Sequence, residues 1–121
     1  MTSQDLGVSF GNLNSLAAGD QGFVWEILKS LRDQAPQVAS EIQTAWEAKD
    51  FEAVGSTAHK FKSAVHILGN SKVLDATREL EHQAEQNPQD IERLVFQFGE
   101  MCSQLVQVLD KELSRLSSAQ A

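Results

Sequence analysis

The sequence predicts an all-α fold, an up-and-down antiparallel four-helix bundle preceded by a short N-terminal helix. Three observations predict it. Apolar residues recur at three- and four-residue spacing through most of the 121-residue chain, the pattern of helices that each bury one stripe. Helix-starting and helix-stopping residues punctuate that pattern at short intervals, and no strand-like alternation competes with it. Four long amphipathic helices joined by turns of a few residues bury their stripes together by packing side by side in alternating directions.

Residues 1–9 are polar and rich in Ser and Gln, the composition of a flexible lead-in. Phe10, Leu13, Leu16 and Ala17 then mark the short helix, which Gly19 ends. Asp20 caps the next helix by accepting from its free N–H groups. In that helix Val24, Ile27, Leu31, Ala35, Val38, Ile42 and Ala45 keep their spacing straight through Pro36. A proline inside a helix removes a hydrogen bond and costs about 3 kcal/mol or more. The unbroken stripe therefore predicts one kinked helix, with a break at 34–36 as the alternative. Trp25 and Trp46 read as packing residues at its margins.

Asp50 begins the following helix, whose stripe is Phe51, Val54, Ala58, Phe61, Val65 and Leu68. Gly69-Asn70-Ser71 closes it and caps its successor, expected from about Lys72 to Gln86 with Val73, Ala76, Thr77, Leu80 and Ala84 inward. Asn87-Pro88 stops that helix, because the residue before a proline is driven out of helical geometry. The last helix carries Ile91, Leu94, Val95, Phe98, Cys102, Leu105, Val108, Leu109 and Leu116. A single bundle domain over 10–116 follows, with 117–121 as a Ser/Ala-rich tail.

A chain of this length suits one hydrophobic core, and 41% apolar residues suffice to fill it. The net charge of −7 and a pI near 4.8 argue against nucleic acid or an anionic membrane as partner, since both require a basic surface. A partner with a basic rim fits better. Cys102 is the only cysteine, so no internal disulfide forms, and its neighbours Phe98, Met101 and Leu105 make it a core filler rather than a nucleophile. No stretch approaches the roughly 20 apolar residues of a membrane helix, and residues 1–9 lack the basic start and apolar run of a secretory signal. A cytoplasmic monomer is expected.

Reactive side chains concentrate in Ala58-His59-Lys60-Phe61-Lys62-Ser63-Ala64-Val65-His66-Ile67-Leu68-Gly69. At about 100° per residue His59 points roughly 130° away from the centre of the apolar stripe, with Gly55, Ser56, Lys62, Ser63 and His66 on the same side. A histidine on a helix surface is ordinarily a solvated polar residue. Here Gly55, Ser56 and Ser63 keep the surface low enough for a second protein to close over the ring, and Lys62 lies one turn on. A free imidazole titrates near about pH 6.5, so a large fraction is neutral and nucleophilic at pH 7. A phosphoryl group on its nitrogen stays transferable, and the lysine ammonium opposes its charge.

Ala58-His59-x-x-Lys62, with Gly69 as the tenth residue after the histidine, resembles the signature of the histidine-containing phosphotransfer (HPt) domains of bacterial and plant phosphorelays. The resemblance covers roughly residues 10–116 and includes Gly19-Asp20 before a long helix, Lys49-Asp50-Phe51 before the histidine helix, and Leu80-Glu81 on the next one. It implies that the N-terminal helix packs across the bundle beside the histidine, with Leu13 and Leu16 helping to receive the partner; a lid packed on the core is the other reading of those two residues. It implies that His59 is phosphorylated, that Lys62 stabilises the phosphoryl group, and that Glu81 orients the ring from across the bundle. Gly55, Ser56, Ser63, His66 and Gly69 would border the docking site. Two positions depart from the family pattern: Ser63 stands where Gly usually follows the lysine, and His66 occupies a usually small site, about 10 Å from His59.

What the resemblance implies is a phosphorelay intermediate, taking a phosphoryl group from a receiver-domain aspartate onto His59 and passing it to the aspartate of another response regulator. Its partners would be response-regulator receiver domains and a hybrid histidine kinase. It would be a phosphocarrier rather than an enzyme, with no cofactor of its own; the Mg²⁺ would sit on the partner receiver domain. The residues agree with this division of labour, since the chain has no Gly-x-x-x-x-Gly-Lys-Ser/Thr cradle for ATP. Two other readings stand beside it. One is a non-catalytic helical protein-interaction module with a degenerate histidine. The other is a metal site in the bundle, suggested by Glu79-x-x-His82, but such sites use two of these motifs, and Ser56 and Ser63 precede the other two histidines by three.

Overall fold

The computed structural model describes residues 6–69 and 71–120; residues 1–5, Asn70 and Ala121, which belong to the expected lead-in, cap and tail, lie outside the described residues. The described residues form five α-helices and two 3₁₀ turns, with no strand among them: α1 (Gly11–Ala17), α2 (Gln21–Glu47), α3 (Phe51–Val65), α4 (Lys72–Gln86) and α5 (Glu92–Gln120). The turns are His66–Leu68 after α3 and Pro88–Asp90 before α5.

Local chemistry starts α2, α3 and α4 where the sequence expects it. Asp20, Asp50 and Ser71 each turn a side-chain oxygen onto the N–H three residues ahead, at 3.1, 3.1 and 3.2 Å from Phe23, Ala53 and Leu74. Each such cap contributes about 1 kcal/mol relative to alanine. At the end of α1 the left-handed residue is Ala18 (φ 50°), one position before Gly19, which also has positive φ (91°). Together the pair reverses the chain between α1 and α2. Lys49 (φ 59°) performs the same turn after α2, its N–H donating to Trp46 O at 3.0 Å and that of Asp50 to Ala45 O at 2.8 Å.

Helix α2 runs through Pro36 without a break, so the single-helix expectation holds and the alternative break at 34–36 is absent. Its buried stripe is Val24, Leu28, Leu31, Ala35 and Ile42, while Ile27, Val38 and Ala45 are half-buried. Burying one such leucine contributes about 1.5–3 kcal/mol, so two of them offset the proline. Pro36 itself is exposed.

The four long helices pack in the closed order α2, α3, α4, α5 and back to α2, forming a helical bundle. Two of the contacts show opposed directions directly. Arg32 in the first half of α2 meets Asp110 in the second half of α5 at 2.9 Å, while Gln43 near the end of α2 shares a groove with Val95 and Gly99 near the start of α5. On the other side Gly55 of α3 lies beside Ala84 of α4, and His59 beside Glu81. Phe61 and Phe98 meet edge to face across the core, their ring centres 5.8 Å apart. Cys102 is buried with them, and burial pushes its thiol up to about 12. No described helix is long and apolar enough to cross a membrane.

The N-terminal part differs from expectation in two ways. Residues 6–9, expected within a flexible lead-in, are tied to the α3–α4 connection: Leu6 is buried, its carbonyl accepts from Lys72 N–H at 2.7 Å, and Ser9 N–H donates to Leu68 O at 2.9 Å. The apolar side chain of Leu6 and two backbone bonds outweigh the polar composition around them. Residues 117–120, expected as tail, continue helix α5. Helix α1 packs on α2 and on the His66–Leu68 turn, beside the end of the histidine helix.

Candidate functional site

Three polar side chains meet at the α3–α4 seam. His59 sits on the solvent side of α3, its side chain 62% exposed. Lys62 follows one turn later on the same face, and Glu81 reaches across from α4. The carboxylate bridges the other two: Oε2 lies 2.6 Å from His59 Nδ1 and Oε1 lies 2.7 Å from Lys62 Nζ. Small side chains allow this reach, since a Cβ added to Gly55 would stand only 3.7 Å from that of Ala84. The two helices therefore approach closely one turn before the histidine.

The electrostatics select one protonation pattern. Hydrogen bonding from the Lys62 ammonium is the main influence holding the Glu81 carboxyl below its ordinary range; burial opposes it, and the His59 contact adds to the lowering. Glu81 is thus an anion at neutral pH, and an ionised carboxylate only accepts hydrogen bonds. Nδ1 must then be the donor of the 2.6 Å contact. In a neutral ring this leaves the lone pair on Nε2, on an imidazole that stands mostly in solvent.

Around the triad, Ser56, Ser63 and His66 are exposed, and Gly55 and Gly69 are half-buried. Gly55 belongs to the helix seam rather than to the open face, because α4 passes beside it. Gly69 has φ 82°, a conformation that side chains rarely adopt. The two leucines of α1 separate. Leu16 is 67% exposed, whereas Leu13 is fully buried. Leu13 is therefore a core residue and unavailable to a partner, because α1 turns that side onto α2 and the end of α3.

The Lys62–Glu81 ion pair is the feature that sequence reasoning missed. Spacing places Lys62 one turn from His59 as a free cation; its engagement by Glu81 depends on the approach of two helices. Among the described residues no group of three or more His, Cys, Asp or Glu side chains could hold a metal ion. Glu79 and His82, the Glu-x-x-His pair, are both exposed.

A family model described as Hpt domain matches residues 26–119. The matched span takes in most of α2 and all of α3, α4 and the bridging triad. No curated protein and no solved structure matches the chain.

Proposed function

The chain belongs to the Hpt domain family, whose members carry phosphoryl groups on histidine in two-component signalling with receiver domains and histidine kinases, and from that membership we propose that His59 is the phosphoacceptor of a phosphorelay intermediate. Its Nε2 lone pair attacks the phosphorus of a receiver aspartyl phosphate. The N–P bond forms as the P–O bond to the aspartate breaks, and the bonding pair returns to the aspartate carboxylate. The ring keeps its Nδ1 proton and becomes cationic, facing the negative Glu81. Transfer to a second receiver aspartate is the reverse sequence.

The observation that carries this reading is the 2.6 Å contact from Nδ1 of an exposed ring to an ionised carboxylate, which leaves Nε2 as the nucleophile. Phosphoryl transfer proceeds through a loose, in-line transition state with charge spread over the equatorial oxygens, so positioning and a nearby cation supply most of the catalysis. Lys62 is the cation on this side. The acidic pocket, the Mg²⁺ and the acceptor aspartate belong to the receiver domain, and this protein acts as a phosphocarrier rather than as an enzyme on its own substrate.

Docking uses the face around His59: Leu16 on α1, Ser56 and Ser63 on α3, and His66 and Gly69 at its end. Ser63 adds bulk at this surface, so its hydroxymethyl group selects among receivers. The reading carries with it a cytoplasmic monomer that meets its partners transiently. Incubation with a phosphorylated receiver domain tests it: acid-labile, alkali-stable phosphate should appear on the wild-type protein and be absent from His59→Gln. Label retained in that variant, on His66 or His82, would remove His59 from the role.

A further inference from the structure

We propose that Glu81 competes with the phosphoryl group for Lys62: it holds the ammonium while His59 is unphosphorylated, and Lys62 reaches a phosphoryl group only by leaving it. The inference rests on the relay reading above and adds to it a two-position lysine. Both oxygens of Glu81 are in use, Oε2 by His59 Nδ1 at 2.6 Å and Oε1 by Lys62 Nζ at 2.7 Å. The ammonium thus sits against the carboxylate at the Nδ1 edge of the ring. A phosphoryl group would be bonded to Nε2, the edge that faces away from Glu81. One ammonium cannot close a short contact on both sides of the imidazole, so it exchanges one anion for the other.

The chemistry of transfer favours that exchange at the moment it is needed. When Nε2 gives its lone pair to phosphorus, the ring retains its Nδ1 proton and becomes a cation. Its hydrogen bond to Glu81 is then charge-assisted on both sides and stronger. The carboxylate acquires a new counter-charge just as a phosphoryl dianion arrives to attract Lys62. The ammonium departs without leaving Glu81 uncompensated. When the phosphoryl group moves on, the ring returns to neutrality and Glu81 draws the lysine back. Lys62 is half-buried beside this seam, so its stem is held while its end swings.

A double-mutant cycle with a small donor tests this without any partner protein. In labelling by phosphoramidate, the donor's P–N bond breaks, its nitrogen leaves as ammonia with the bonding pair, and Nε2 of His59 forms the new N–P bond. Labelling rates are measured for wild type, Glu81→Gln, Lys62→Met and the double variant. Glutamine keeps an oxygen for the Nδ1 proton but has no second acceptor for Lys62. The rate ratio of Glu81→Gln to its parent should be larger when Lys62 is present than in the Lys62→Met background, by up to about fivefold, the worth of a partly exposed ion pair. Equal ratios would show that Glu81 acts on the phosphoryl group only through its charge and would overturn the proposal. A smaller ratio with Lys62 present would also overturn it, since Glu81 would then be positioning the lysine for transfer. A wild-type protein that takes no label at His59 from phosphoramidate or from a receiver would remove the relay reading itself. That outcome is distinguishable from the other two because it precedes any comparison of variants.

Discussion

Gly55 of α3 and Ala84 of α4 face each other across the seam between the two helices that carry the triad: a Cβ built on the glycine would lie 3.7 Å from that of the alanine. That separation is ordinary van der Waals contact, so one methyl group fits and a larger side chain does not. Gly55→Ala is expected to stabilise the protein by about 0.5–1 kcal/mol, through better helix propensity and a stiffer unfolded chain. Gly55→Leu is expected to destabilise it by about 1–3 kcal/mol by forcing the seam apart. Urea unfolding of the two variants checks the opposite signs.

The second prediction concerns acid. Glu81 has a carboxyl held below its ordinary range in the folded protein, chiefly by Lys62. A group with a depressed folded value contributes stability in full above its unfolded pKa, here about 4.3. That contribution is lost as pH falls through the lower folded value. Wild type should therefore exceed Glu81→Gln in stability at pH 7, with the two converging as the solution is acidified below the ordinary carboxylate range. Thermal melts across pH 2–7, followed by circular dichroism, measure the convergence. A constant gap over that range would assign the difference to packing.

The leucines of α1 should divide cleanly. Leu13→Ala removes a fully buried side chain and is expected to cost about 2–5 kcal/mol of stability. Leu16→Ala acts on a side chain that is 67% exposed, so its effect on stability should stay within about 0.5 kcal/mol. On the proposed docking face the substitution should instead lower affinity for a receiver domain. Denaturant curves and titration calorimetry with a receiver domain separate the two.

A fourth prediction follows from Cys102, buried with its thiol pushed up to about 12. The reactive species is the thiolate, so iodoacetamide at pH 8 should leave the folded protein unmodified and alkylate it fully in 6 M guanidinium. Mass spectrometry reads both states. Rapid alkylation of the folded chain would mean that α5 opens locally.

Much of this architecture is legible in the amino-acid sequence. Asp20, Asp50 and Ser71 announce helix starts because their short side chains compete for free N–H groups, and α4 spans Lys72–Gln86 as its punctuation indicates. Periodicity placed His59 on the solvent side, since direction around a helix follows from residue count alone. It failed where the answer depends on a second element. Leu13 and Leu16 have the same chemistry, and only the packing of α1 against α2 and the turn after α3 tells them apart. Leu74, absent from the expected stripe of α4, is buried as well, and burial on the flank of a stripe depends on what packs there rather than on residue count. Spacing alone leaves Lys62 unattached, because its partner is nineteen positions away on another helix.

The backbone bonds that join Leu6 to Lys72 and Ser9 to Leu68 fasten residues 6–9 to the α3–α4 connection, at the foot of the helix bearing Glu81. The foot of α4 is thereby braced from outside the bundle, so the carboxylate shared by His59 and Lys62 is anchored in part by a segment that belongs to none of the four long helices.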